Sequence, residues 1–323
     1  MRAALIVFAL LAALLPTQAQ ELTGNIFIHD PTIAVLDDGF VSFATGVERA
    51  VDGGAIRTKT SPDGVDWQEA GALPGGVPDW VTAELGHTPP NIWAPSIFER
   101  DGLHYLYYAA STFGKNDSVI GLMTNDALSA TDPTQGWVDQ GLVIRSRAGD
   151  DFNAIDPFRI DSAGKAFLAF GSFWEGIRLL ELDPVSGLPL PAAKLLPIAS
   201  RHGRGIEAPA ILEHHGTFYL FVSFDQCCRG VASTYHIRVG RADAITGPYL
   251  DKNGKAMLEG GGTALLRSKG RYRGPGGQEV FMRDGEPWLA FHYYDSDEDG
   301  QPMLQLMPLQ FDAEGWPYMD PLP

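Results

Sequence analysis

Trp93-Ala94-Pro95-Ser96-Ile97-Phe98, a turn at Asp101-Gly102, then His104-Tyr105-Leu106-Tyr107-Tyr108: this stretch decides the fold, because its pattern recurs along the chain. A polar or aromatic residue stands one or two positions before Pro, a short strand follows, the chain turns at Gly, and an aromatic-rich strand returns. An earlier copy runs from His29-Asp30-Pro31 through Asp37-Asp38-Gly39 to Phe40-Val41-Ser42-Phe43. Later copies run from Asp156-Pro157 through Gly164 to Phe167-Leu168-Ala169-Phe170, and from Glu207-Ala208-Pro209 through Gly216 to Phe218-Tyr219-Leu220-Phe221. A looser fifth copy starts at Gly274-Pro275, turns at Asp284-Gly285 and returns as Trp288-Leu289-Ala290-Phe291. The prolines are spaced by 64, 62, 52 and 66 residues. A recurring unit of this length has room for four strands and their loops, which is the signature of a propeller blade. The fold class read from this is all-β, a five-bladed β-propeller occupying residues 20–323 as a single domain. A β-sandwich with coincidental Pro and Gly spacing explains less, because the match extends over turn and return strand as well as Pro.

Composition agrees. Of 323 residues, 37 are Gly and 23 are Pro, which suits many short strands and turns. The chain is 45% hydrophobic and 11% aromatic, which excludes a disordered protein. Its net charge is −16, so nucleic acid is not an expected partner, since phosphate binding needs a basic face. Met1-Arg2, the apolar run Ala3–Leu15 and Pro16-Thr17-Gln18-Ala19 read as a signal peptide over residues 1–19. Thirteen apolar residues fall short of the ~20 that span a bilayer, so no membrane span is expected. The mature protein is expected in the periplasm or outside the cell, as a monomer. The two cysteines, Cys227 and Cys228, are adjacent, which excludes a disulfide framework. They read either as two buried thiols or as a strained vicinal ring.

The repeat places chemistry. If the strand after each Pro is the innermost of its blade, the residues before Pro meet at the rim of the central channel. Three of the five starts carry a carboxylate: Asp30, Asp156 and Glu207. Glu207 stands one residue earlier than the two aspartates, aligned with Trp93 and, in the fifth copy, with Arg273. One Asp-Pro is an ordinary turn starter. Three carboxylates converging on one mouth raise at least one pKa and divide into acid and base, as in a glycosidase.

The sequence resembles the arabinanase branch of glycoside hydrolase family 43. The resemblance rests on His29-Asp30-Pro31, Asn91-Ile92-Trp93-Ala94-Pro95, Asn153-Ala154-Ile155-Asp156-Pro157 and Gly171-Ser172-Phe173-Trp174. It continues through Glu207-Ala208-Pro209 and the segment Phe224–Gly230 with Ser233-Thr234-Tyr235. It implies an inverting hydrolase of 1,5-linked α-L-arabinofuranosyl bonds, with arabinan or arabino-oligosaccharide as partner. It implies Asp30 as general base, Glu207 as general acid, and Asp156 as the residue that tunes and orients the acid. An ionised Asp156 would favour a protonated Glu207. Furanose rings have apolar faces, so Trp93, Phe113 and Trp174 are the expected platforms, with His29, Asn153 and Ser172 meeting hydroxyls. The Cys227-Cys228 turn is expected near the mouth. The alternatives are a β-xylosidase or α-L-arabinofuranosidase on the same fold, or a propeller that binds carbohydrate without catalysis.

No cofactor is needed for this chemistry. The family resemblance also implies a structural calcium or sodium ion in the channel near a histidine. The family's Gly-Pro-Gly-His run reads Gly274-Pro275-Gly276-Gly277-Gln278 here, which leaves His292 as the candidate ligand. Asp295–Gly300 opens like an EF-hand loop but has Leu306 at the twelfth position, so it reads as an acidic hairpin turn.

Overall fold

The computed structural model describes residues 20–47 and 52–322. The expected signal peptide, residues 1–19, lies outside them. The strands form five radial antiparallel sheets, each built from strands consecutive in sequence. Blade 1 runs through Thr32–Leu36, Gly39–Ala44, Arg57–Ser61 and Asp66–Ala72. Blade 2 runs through Trp93–Arg100, Leu103–Ala110, Ser118–Asn125 and Val138–Ser146. Blade 3 comprises Phe158–Ser162, Lys165–Phe170, Ile177–Leu182 and Leu196–Ala199. Blade 4 comprises Ile206–His214, Thr217–Phe224, His236–Ala242 and Thr263–Leu266. Blade 5 has Tyr272–Arg283, Glu286–Asp295 and Gln301–Pro308. Each repeated hairpin is the inner pair of a blade, as expected.

The aromatic return strands are buried on both faces because each is sandwiched between neighbouring blades. Tyr105 to Ala110 in blade 2 is at most 2% exposed throughout. The core is therefore divided between blades. Val41 and Phe43 of blade 1 meet Leu106 and Tyr108 of blade 2, while Tyr107 and Ile120 of blade 2 meet Leu168 and Phe170 of blade 3. Trp288 and Leu306 of blade 5 pack with Ile33 and Phe40 of blade 1, which completes the circle.

The fourth strand of blade 5 comes from the other end of the chain. Ile28 N–H donates to Pro302 O at 3.0 Å, and Leu304 N–H donates to Ile26 O at 2.8 Å. Thr23–Gly24, just before, pairs in parallel with the outer strand of blade 1. Residues 23–28 thus join first and last blades and shut the ring. Ile26-Phe27-Ile28 is apolar but precedes the first repeated unit, so the repeat gave no sign that it completes the last blade.

At the channel, Asp30, Ala94, Asp156, Ala208 and Gly277 all have positive φ, between 40° and 57°. In four blades Pro follows, and in the fifth Gln278 does. These residues line the narrow channel together. Two of them are Ala, held where L residues cost about 1–2 kcal/mol, so the surrounding ladder imposes the turn. The fifth copy therefore aligns through Gly277-Gln278 and not through Gly274-Pro275. Gly276, not Arg273, is the counterpart of Glu207. The register slips because the inner strand of blade 5 is bulged at two places, between Arg273 and Gly276 and between Gly276 and Glu279. Asp295–Gly300 forms the hairpin turn expected of it, with Gly300 N–H donating to Asp295 O. No helix among the described residues is long and apolar enough to cross a membrane.

Candidate active site

Above the channel mouth opens a cavity of about 930 Å³. Its wall includes His29, Asp30, Trp93, Phe113, Asn153, Asp156, Ser172, Trp174 and Glu207. The repeat brings them together from four blades. His292 lies behind Asp30, fully buried.

Asp30 sits in a cationic and hydrogen-bonded setting. Its Oδ2 accepts from His29 Nδ1 at 2.7 Å and from the Thr45 hydroxyl at 2.8 Å. Its backbone N–H donates to His292 Nδ1 at 3.1 Å. Burial alone would raise this carboxyl, but the charge and hydrogen bond of His29, with His292 and Thr45, hold it at about 2. His29 is in turn raised by Asp30 against the opposing effect of burial. Its Nε2 faces the Tyr294 hydroxyl at 2.9 Å, and that oxygen accepts Cys228 N–H at 2.7 Å. The arrangement is that of an imidazolium: His29 Nδ1–H donates to Asp30 and Nε2–H donates to the Tyr294 oxygen, which also accepts Cys228 N–H. It leaves Asp30 Oδ1 outside these bonds.

Glu207 is 7% exposed, and burial raises its pKa. Tyr235 O–H donates to Oε1 and Ser172 O–H to Oε2, each at 2.7 Å, which opposes the rise, while Asp30 adds to it. Asp156 is pushed well above the carboxylate range by burial, then by Glu207 and Asp30. It was expected to stand ionised and so to keep Glu207 protonated. Instead both carboxyls are displaced upward, chiefly by burial. Asp156 Oδ2 accepts Ala208 N–H at 3.0 Å, which fixes the backbone next to Glu207.

The aromatic residues occupy distinct positions. Trp93 is half-buried, with Nε1–H donated to Asn91 Oδ1 at 2.9 Å. Phe113 is 77% exposed at the rim, so packing between blades does not explain it. Phe173 and Trp174 have φ of 48° and 33°, a strained pair of bulky residues that turns the loop into the cavity. Asn153 is buried, and its Oδ1 accepts the Ser118 hydroxyl at 2.6 Å. Cys227 and Cys228 are joined as a vicinal disulfide that lines the cavity. Sequence reasoning assigned no role to Thr45, Tyr235 or Tyr294, although all three contact the carboxylates or their partners. Each stands at or near a strand end, and only the ring geometry brings it to the mouth.

Among the described residues, His29, Asp30 and His292 form the one group of three whose ligand atoms lie within 4.8 Å of one another. Calcium takes six to eight oxygens. This group offers a single carboxylate, and each His already has one nitrogen committed at Asp30. Since His292 Nδ1 accepts from Asp30 N–H, its proton sits on Nε2, which is buried without a partner and has no lone pair for a cation. These side chains do not fit a protein-held calcium or sodium ion.

One carboxyl held low and two displaced upward face a single aromatic-rimmed cavity, an arrangement suited to acid/base chemistry on a propeller. The family model of glycosyl hydrolases family 43 matches residues 22–317. An extracellular endo-α-(1→5)-L-arabinanase of Bacillus subtilis is 40% identical, over 91% of this chain and 88% of its own. An extracellular exo-α-(1→5)-L-arabinofuranosidase of Cellvibrio japonicus is 36% identical over 97% of this chain and 90% of its own. The solved α-L-arabinanase of Cellvibrio cellulosa complexed with arabinohexaose superposes with a TM-score of 0.84 at 36% identity, covering 91% of this chain and 96% of that one. The chain belongs to glycoside hydrolase family 43, and it is a glycoside hydrolase.

Proposed function

We propose that this protein hydrolyses 1,5-linked α-L-arabinofuranosyl bonds of arabinan or arabino-oligosaccharides with inversion at the anomeric carbon. The observation that carries the mechanism is the contrast between two carboxyls in one cavity. Asp30 is held ionised to about pH 2, while Glu207 is displaced upward by burial. The substrate assignment is supported by the arabinan-directed names of the relatives.

In the reaction, a water lodged beside Asp30 Oδ1 attacks the anomeric carbon. Asp30 takes one of its protons as the bond to the leaving oxygen breaks. Glu207 gives its proton to that oxygen, so the departing chain leaves as an alcohol. The proton on Asp30 then returns through solvent to Glu207. Asp156 positions the acid through Ala208. Trp93, Phe113 and Trp174 stack on furanose faces, and His29, Asn153 and Ser172 set the polar lining. Ser172 acts through Glu207, to which its hydroxyl is donated.

No step needs an ion. A channel cation beside His292 would draw most of its shell from water. Residues 1–19 act as an export signal and residues 20–323 as one catalytic domain, a monomer working in the periplasm or outside the cell. The extracellular relatives support export.

Glu207→Gln tests the assignment. The isosteric amide accepts from one of the Tyr235 and Ser172 hydroxyls and donates to the other, but it has no acidic proton to give. Hydrolysis of debranched arabinan should fall by ~10²–10⁴, whereas an aryl arabinofuranoside with an activated leaving group should be far less affected. Equal losses on both substrates would remove Glu207 as the acid.

A further inference from the structure

On the same face of the ring, beside the cleft, blade 4 carries a second cavity of about 520 Å³. Phe224, last residue of the blade's second strand, lies within it. Arg201 stacks over that ring at 4.1 Å from its centroid, and Arg238 stands at 5.7 Å. Arg204, Lys255 and Arg267 complete five cationic side chains, against two acids, Asp225 and Asp251. That is a local surplus of three positive charges on a chain of net charge −16.

Both acids are already engaged. Asp225 pairs with Arg201 at 2.7 Å, and Asp251 accepts the backbone N–H groups of Asn253, Lys255 and Gly262. Two nitrogens in the cavity residues, Arg238 Nε and His236 Nε2, are buried without any hydrogen-bond partner. Arg238 is lowered by burial and then by the like charges of Arg267 and Arg201. Gathered cations with unpartnered nitrogens lack a counter-charge. The volume exceeds what a bare inorganic anion fills. The wall it shares with the cleft is one short turn: Gly203 lines the cleft, while Arg201 and Arg204 on either side of it line this cavity.

We infer that this cavity binds the carboxylate of an acidic sugar, a uronic acid residue carried on the same glycan whose neutral part enters the cleft. This rests on the glycan-hydrolase reading of the cleft. The aromatic floor would meet the apolar face of the pyranose, and the Arg forks would take its carboxylate.

The experiment is titration calorimetry of the mature protein with digalacturonate, with arabinotriose and with inorganic phosphate, at low and raised salt. Digalacturonate should bind, and added salt should weaken it by screening. Arg204→Glu with Arg267→Glu should weaken it at least about tenfold. Both side chains are exposed, so the fold is retained, and arabino-oligosaccharide hydrolysis should be unchanged. No binding of digalacturonate, or equal binding by the variant, would overturn the proposal. Phosphate binding more tightly than the uronate would overturn it too, in favour of a small-anion site. Uronate binding is read directly, so a failure of arabinan hydrolysis would not imitate either result.

Discussion

Asp30 and Glu207 bear the same functional group and titrate apart because of what surrounds them. Asp30 has His29 in hydrogen-bond contact, while Glu207 meets neutral hydroxyls in a buried pocket. The signs follow. Asp30's depressed pKa contributes stability that is present above its ordinary 3.8 and is lost as pH falls towards 2. The elevated Glu207–Asp156 pair contributes stability at low pH and loses it as pH rises through the folded-state values. In catalysis the two limbs of the kcat/KM profile should respond separately. His29→Gln removes the cation that holds Asp30 down, so the acid limb should move to higher pH. Tyr235→Phe removes a bond that stabilises ionised Glu207, so the alkaline limb should move to higher pH. A pH–rate series on both variants checks this. His29 also lowers Glu207, so Tyr235→Phe is the discriminating variant: an acid limb that moves as far as the alkaline limb there would contradict the separation of roles. At this scale the carboxylates were legible because each stands beside a repeated Pro. Tyr235, Tyr294 and Thr45 were not, because nothing local marks a strand-end residue that turns towards a distant carboxylate.

The repeated hairpin was legible down to its turns, yet the fifth copy was read in the wrong register. The reason is physical. Four blades carry a Pro after the positive-φ residue, and blade 5 replaces that pair by Gly277-Gln278, with an unrelated Pro275 two residues upstream of Gly277. Only Gly serves at this corner. A Cβ on Gly277 would lie 2.5 Å from Asp30 Oδ1 and 2.8 Å from His292 Nδ1. Blade 5 thus yields its side chain to make room for the carboxylate of blade 1. Gly277→Ala should displace Asp30 and lower kcat by about 10²-fold, the cost of misplacing a reacting group by roughly 1 Å. Thermal melting beside steady-state kinetics checks it: full activity in the variant would show that the corner does not set Asp30. The closing strand at residues 26–28 was illegible for another reason, since its partners Pro302 and Leu304 lie at the far end of the chain.

The whole ring turns a sequence repeat into convergence. Residues 30, 156 and 207 meet because three blades point their inner strands at one mouth, and the aromatic rim follows from loops at equivalent blade ends. Asp30 heads the first blade and Glu207 the fourth, with the fifth between them on the shorter side, so the two carboxyls approach a bound sugar from different sides. The account's central claim is that Asp30 activates water for one displacement driven by Glu207. Proton NMR of the first product released from linear arabino-oligosaccharide, recorded before mutarotation, tests it directly. A single displacement gives the β-configured hemiacetal first. An initial α-anomer would mean two displacements through a glycosyl-enzyme and would contradict the role of Asp30 as base.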